Sequence, residues 1–209
     1  MGLLDTLKSL FGNANSVTNK AKSFENRASS TASSFSSAVK SFTKKSETFT
    51  FASLPQNVEE LKALPEASLD TPFKAAALAV LALNHYEADK EETFRMLDFL
   101  HGPSPLSVKS KQFIFDRLGG KMYVARSFFG GTSPDNDYTP SQPYTVTVRD
   151  NPYSYDNQAQ GYVKLFIPSS GADSDREIVL RRKGEQWMVW EETNMLGDIR
   201  IPKSADPWA

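Results

Sequence analysis

The longest apolar stretch of the chain is Thr71–Tyr86, which reads TPFKAAALAVLALNHY and has Lys74 as its only charged residue. Thr71 can accept hydrogen bonds from the first free N–H groups of a helix, and Pro72 suits the first helical position because its missing N–H is not needed there. No polar face interrupts the run, so we expect a helix enclosed on nearly all sides. At about 15 residues it is shorter than the roughly 20 that span a bilayer. The pattern therefore predicts the central helix of a protein core.

Start and stop signals predict further helices on both sides of this segment. Asn57-Val-Glu-Glu60 and Asp89-Lys-Glu-Glu92 have the pattern of a capping box, in which the first and fourth residues bind each other's backbone N–H groups. Ser107 can cap Val108–Leu118, whose apolar residues recur at helical spacing before a pair of glycines. We therefore expect three to four helices joined by short turns.

The C-terminal half has the period of strands. Apolar and polar residues alternate there, and Gly184-Glu185 suits a two-residue hairpin turn. Because no helix separates these runs, we expect an antiparallel sheet with the helices packed on one face, which makes residues 47–209 a single α+β domain. Thr48–Phe51 is a further short candidate. The C-terminal candidates are Tyr144–Val148, Tyr162–Ile167, Arg176–Lys183 and Gln186–Glu191.

Residues 1–46 form a compositionally distinct arm, rich in Ser, Thr and Ala. At about 100° per residue its larger apolar side chains fall in one stripe, with Ser, Thr and Lys on the opposite side. Such a pattern predicts a long amphipathic helix, although Ser and Thr are mediocre helix formers and a disordered tether is an alternative. The residues of the stripe are Leu3, Leu7, Leu10, Val17, Phe24, Phe35, Val39 and Phe42.

The charge of the arm suggests its partner. Residues 1–46 carry seven basic and two acidic side chains, a net charge of +5, while the rest of the chain carries −6. A basic amphipathic arm favours an anionic membrane surface. Packing on a partner helix and self-association as a coiled coil are the alternatives. Nucleic acid is excluded as a partner, because the Lys residues are interleaved with Phe rather than clustered with side chains that read bases.

Signals of catalysis are few. The chain has no cysteine, which excludes disulfides and thiolate metal sites, and it has two histidines, His85 and His101. It contains no Gly-rich phosphate loop, GxSxG or HExxH motif. We assign no catalytic residue, no metal ligand and no cofactor. If the protein were an enzyme of unrecognised type, the two histidines and the Tyr-rich loops would be its candidates.

The Tyr-rich loops are the second candidate site. Five of the seven tyrosines lie within Tyr138–Tyr162, beside Asn, Asp, Gln and Pro. Tyrosine on loops provides contact area at a small entropic cost, so these loops are candidates for recognition of a protein or glycan partner. The alternative is that the rings cover a sheet edge and anchor the loops. The candidate recognition residues are Tyr138, Tyr144, Tyr153 and Tyr155.

Four runs in the chain resemble a known family. They are LPxxxEELKALPEASLDTPFKAAAL at Leu54–Leu78, NDYTPSQPYTVTVRDNPYSY at Asn136–Tyr155, SGADSDREIVLRRKG at Ser170–Gly184 and DPWA at Asp206–Ala209. In these runs the chain resembles an uncharacterised family of small proteins from Gram-positive bacteria, over residues 48–209. The resemblance implies a domain of unknown function inside the cell and brings no catalytic residues with it.

These observations predict a non-enzymatic binding or adaptor module. We expect it in the cytoplasm, attached to a membrane surface through residues 1–46 as a peripheral protein. The alternative from another class is a structural protein that assembles through the arm without lipid.

Overall fold

A computed structural model describes residues 45–208, which form five helices and a sheet of five strands. The fold class is therefore α+β, as the sequence predicts, but the described residues form five helices rather than three to four. The helices are α1 (Val58–Ala63), α2 (Pro72–Asn84), α3 (Lys90–His101), α4 (Val108–Leu118) and α5 (Tyr123–Arg126). The strands are β1 (Ser46–Phe51), β2 (Tyr144–Arg149), β3 (Tyr162–Ile167), β4 (Arg176–Lys183) and β5 (Gln186–Glu191). Short 3-10 turns lie in several of the connections.

Helix α2 is the central helix that its apolar run predicts. Thr71 caps it by accepting a 3.3 Å hydrogen bond from the Lys74 N–H, and Pro72 occupies the first turn. Every residue from Ala75 to Leu83 is fully buried. The helix contacts β2, β3, β4 and β5 on one side and α3 and α5 elsewhere. Small alanines along its length allow this close approach from several directions.

The sheet is antiparallel throughout, with strand order β1-β2-β3-β4-β5. Alternate residues are buried, so one face covers the core and the other faces outward. The buried face carries Val146, Val148, Val163, Leu165, Ile167, Ile178, Leu180, Trp187 and Val189. Strand β1 comes from the N-terminal side of the helices and pairs along its whole length with β2. The prediction of a C-terminal sheet is therefore incomplete, because the short candidate strand Thr48–Phe51 lies within β1 and belongs to the same sheet.

The sheet is curled because β2 and β3 meet at one point. Their pairing is limited to Arg149 and Phe166, whereas β1 and β2 pair over six residues. Phe129 forms an isolated bridge to Val146. The segment after α5 thus reaches β2 and lies where a continuous sheet would have its next strand.

Helix capping differs from the sequence prediction at Glu92. Asp89 caps α3 by accepting a 2.9 Å hydrogen bond from the Glu92 N–H, as expected. The Glu92 carboxylate does not complete the box. It accepts a 2.6 Å hydrogen bond from the N–H of Val58, the first residue of α1, and pairs with Arg95. The predicted second capping box is therefore wrong in its return bond, because this carboxylate instead joins the start of α1 to α3.

Candidate functional site

The structure separates the four candidate tyrosines by exposure. Tyr138 is fully buried, Tyr144 and Tyr155 are half-buried, and Tyr153 is 70% exposed. The four rings therefore do not form one surface, and each has to be considered by its contacts.

Tyr138 belongs to the core. Its ring lies 5.8 Å from that of Tyr123, and its Oη donates a 2.6 Å hydrogen bond to the carbonyl of Arg200. Burial raises the pKa of its phenol. Gly171 packs so closely that a Cβ there would lie 2.2 Å from the Tyr138 Oη. A ring in this position is not available to a partner.

Tyr155 and Tyr144 anchor their loops. The Tyr155 Oη donates a 3.0 Å hydrogen bond to the buried carboxylate of Asp150, which also accepts a 2.6 Å bond from the Lys45 N–H. Burial, together with the hydrogen bond to Asp150, raises the pKa of Tyr155 to about 12. The Tyr144 ring lies 5.2 Å from the ring of Phe129. Both side chains thus act mainly within the domain.

Tyr153 lies on one wall of a groove of about 410 Å³ over the outward face of the sheet. We call it the aromatic groove. It is open to solvent, and its volume is within the usual range for ligand sites. Trp190 forms part of the groove and is 41% exposed. Other residues that line the groove are Asp156, Asn157, Tyr162, Lys164 and Glu191.

A cluster of two rings and a guanidinium lies beside the aromatic groove. Tyr162 on β3, Arg181 on β4 and Trp190 on β5 lie on three neighbouring strands. The two rings meet edge to face at 5.7 Å, and the Arg181 guanidinium lies 4.5 Å from the Trp190 ring and 5.2 Å from the Tyr162 ring. Each contact between the guanidinium and a ring is a cation–π interaction, which contributes about 0.5–1 kcal/mol at an exposed site. The contacts fix the orientation of the indole.

A β-bulge sets the position of Trp190. Leu180 lies opposite Val189, but Val179 lies opposite Glu191, so Trp190 has no residue opposite it in the ladder. A bulge bends the strand and redirects side chains locally. Here the indole lines both the aromatic groove and a second groove beside it.

The second groove, of about 250 Å³, lies on the other side of Trp190. We call it the basic groove, because three successive cations of β4 line it. The cations are Arg181, Arg182 and Lys183, and the remaining lining residues are His101, Pro103, Ser104, Met188 and Trp190.

His101 is part of a buried pair at the wall of the basic groove. Its Nε2 lies 2.9 Å from Oε2 of Glu192, and both side chains are almost completely buried. The other oxygen of Glu192, Oε1, is buried without a hydrogen-bond partner among residues 45–208. Within the same residues no hydrogen bond engages Nδ1 of His101. The carboxylate therefore fixes the orientation of the imidazole ring, and His101 lines the basic groove.

A family model for a domain of unknown function, DUF6935, matches residues 53–203. The chain belongs to this family. The match contains all five helices and β2–β5, while β1 precedes it. No curated protein and no solved structure matches the chain.

Only some residues of the grooves of this DUF6935 domain are predictable from the sequence. Composition indicates Tyr153, and His101 is one of two histidines, but no pattern indicates Trp190 or Arg181. Both lie in runs that read as ordinary strand, QWMVWE and REIVLRRK. A weak signal was present, because an outward-facing indole and three successive cations are unusual on a half-buried strand.

The remaining candidate features of the DUF6935 protein are the apolar stripe of the arm, a membrane span and a metal site. The stripe of the arm, from Leu3 to Phe42, lies outside residues 45–208, so its binding role stays a prediction. In the part of the chain that the structure describes, no helix is long and apolar enough to cross a membrane. Over the same residues, no group of three His, Asp or Glu side chains is arranged to hold a metal ion.

Proposed function

We propose that this DUF6935 domain is a binding module that holds a segment of a partner polypeptide in the aromatic groove. The observation that carries the proposal is the pair of exposed rings, Tyr153 and Trp190, on a groove of about 410 Å³. Large exposed rings flanking a concave surface are the usual anchors of protein interfaces.

The supporting argument begins with rigidity. Trp190 is held by Arg181 and Tyr162 on a paired sheet, and the loop of Tyr153 is fastened at Ser154, whose Oγ accepts a 2.9 Å hydrogen bond from the Asn151 N–H. Rings that are already ordered lose little conformational entropy when a partner binds. Most of the apolar area they bury then contributes to affinity.

The polar residues of the groove favour a polypeptide. Asn157 can donate and accept, while Asp156 and Glu191 can accept, so the groove offers partners for backbone amides of an extended segment. Lys164 is neutralised by Glu177 at 3.3 Å. With Lys164 paired, Asp156 and Glu191 leave the groove with a modest negative charge, in contrast to the basic groove beside it.

Selection from a phage-displayed library of random peptides, using the full chain, tests this proposal. Selected peptides should bind the wild-type protein, and Tyr153→Ser with Trp190→Ala should weaken them at least tenfold without changing the melting temperature. Trp208→Ala is the matched control, because Trp208 is 93% exposed and lines neither groove. Peptides that bind the double variant equally well would refute the proposal. Binding only on a glycan array, with loss in the double variant, would replace the polypeptide by a glycan.

For residues 1–46 we propose attachment to an anionic membrane surface, in the cytoplasm of a Gram-positive bacterium as the resemblance implies. The support is the sequence pattern of the arm: an apolar stripe backed by Ser, Thr and Lys, with a net charge of +5. Substituting Phe24, Phe35 and Phe42 by Ser removes the bulk of the stripe and leaves the charge unchanged.

Co-sedimentation of the full chain with phosphatidylglycerol vesicles provides the test. The wild-type protein should sediment with vesicles, and the triple Phe→Ser variant should stay in the supernatant. Equal sedimentation of both proteins would show that the stripe does not bind lipid. A mass that increases with concentration without lipid, and only in the wild type, would favour assembly through the arm.

A further inference from the structure

The basic groove carries an excess of positive charge at its mouth. Arg182 lies 3.6 Å from Glu185, but both side chains are more than half exposed, so solvent screens this pair. Within residues 45–208, no acidic side chain pairs with Arg181 or Lys183. The carboxylate of Glu192 is buried and pairs with His101.

Arg181 lines the groove with its N–H donors unused. Its guanidinium carbon lies over the rings of Tyr162 and Trp190, and no side-chain hydrogen bond uses its N–H groups within the described residues. A stacked guanidinium with unused donors matches the geometry of an oxyanion, which it binds through two parallel hydrogen bonds. Lys183, two residues further along the same strand, adds a second charge beside it.

The rest of the groove suits the uncharged part of a small molecule. Met188 and Trp190 are apolar lining residues, and His101 and Ser104 are lining residues whose side chains can form hydrogen bonds. Gly102 has a positive φ of 61°, and a Cβ there would lie 2.9 Å from the sulfur of Met188. The turn after α3 can therefore approach β5 closely, which brings His101 to the wall of the groove.

From these contacts we propose that the basic groove binds a small phosphorylated compound, with its phosphate between Arg181 and Lys183 and its hydroxyl-bearing part against His101 and Trp190. The volume of about 250 Å³ is below the range for drug-sized ligands and fits a compound the size of a sugar phosphate. This site is independent of the polypeptide-binding role, since it uses residues outside the aromatic groove apart from Trp190.

Two-dimensional NMR titration of the full chain with ribose 5-phosphate tests the site. Amide signals of Ser104, Lys183 and Met188 should shift and saturate, whereas ribose without phosphate should leave them unchanged. Arg181→Gln with Lys183→Gln should reduce the affinity at least tenfold. The control is Arg117→Gln, because Arg117 also lies over a ring, that of Phe113 at 5.1 Å, but outside the groove. Tyr153→Ser should leave the titration unchanged, which separates this site from the aromatic groove.

The phosphate could also be that of a lipid headgroup, and a second titration distinguishes the two sources. Dihexanoyl phosphatidic acid, a lipid phosphate that dissolves as a monomer and gives residues 1–46 no membrane surface to bind, replaces the sugar phosphate, with the same variants. Binding of either probe that depends on Arg181 and Lys183 supports the phosphate site, and it identifies the source as soluble or lipid. Binding of neither probe at millimolar concentration, or binding that the double variant retains, would overturn the proposal.

Discussion

Replacing Glu92 tests the contact that joins α1 to α3. Its side chain is nearly buried, and its carboxylate accepts the 2.6 Å hydrogen bond from the Val58 N–H. Glu92→Ala leaves that helix N–H without its partner, a loss of about 0.5–2 kcal/mol. The pair with Arg95 adds little, because its guanidinium is exposed and screened. For a domain of this size we expect the melting temperature to fall by about 1–8 °C.

The stability that Glu92 contributes should depend on pH. The hydrogen bond from Arg95, and then that from the Val58 N–H, lowers the pKa of Glu92 below its usual value of 4.5. The unfolded chain therefore takes up a proton at Glu92 before the folded protein does. The contribution to stability is present above about pH 4.5 and is lost as pH falls through the folded pKa. Glu92→Gln keeps an acceptor for Val58 but has no charge, so its unfolding free energy should approach that of the wild type in acid.

Urea unfolding of the wild type and both variants between pH 3 and pH 7 measures these effects. Glu91→Gln is the matched control, because Glu91 is also in the first turn of α3 but is exposed and has no cap to lose. A difference between wild type and Glu92→Gln that is the same at every pH would refute the assigned charge effect. An unchanged stability of Glu92→Ala would refute the cap itself.

Three further substitutions test the core and its polar contacts. Leu81→Ala should reduce the unfolding free energy by about 2–5 kcal/mol, because the site is fully enclosed, and a loss below about 1 kcal/mol in urea would contradict this burial. Tyr138→Phe should cost about 1–3 kcal/mol by leaving the Arg200 carbonyl without its donor, and unchanged stability would show that the hydrogen bond contributes nothing. With its pKa of about 12, Tyr155 should ionise last in an alkaline absorbance titration and lose its stabilising effect between about pH 10 and 12. The phenol that Tyr155→Phe removes from the titration should therefore be the last one, and removal of a phenol that titrates near pH 10 would refute the pair with Asp150.

The elements of the fold could be predicted because their signals are local. The observed bounds of α4, β3, β4 and β5 agree with the residues that the alternation or the helical spacing delimits. Thr71 and Pro72 mark the start of α2 for a reason that is already present within one turn of chain. Burial of one face of the sheet likewise follows from a period of two residues.

Pairings between distant residues could not be predicted in this way. Glu92 has the spacing of a capping box, but its carboxylate binds Val58, which is 34 residues away. The partner of β1 is β2, with more than 90 residues between them. A sequence pattern gives the face on which a side chain lies, whereas the choice of partner depends on the packing of the whole chain.

The difference between local signals and distant pairings also explains which site residues the sequence can predict. Composition led to the Tyr-rich loops, but it could not distinguish the exposed Tyr153 from Tyr138, which a hydrogen bond to a residue 62 positions away holds in the core. His101 and Glu192 are 91 residues apart, so nothing in the sequence brings them together.

The cluster around Trp190 is more than the sheet requires. An exposed indole gives up part of the free energy that its burial would contribute, and three like charges in succession repel one another on β4. The cation–π contacts of Arg181 recover only a part of this, about 0.5–1 kcal/mol each. A single exposed aromatic residue is ordinary in any protein, but here the indole, the three cations of β4 and the buried pair of His101 and Glu192 coincide where two grooves meet. Because the fold gains little from this arrangement, we propose binding as the reason for it.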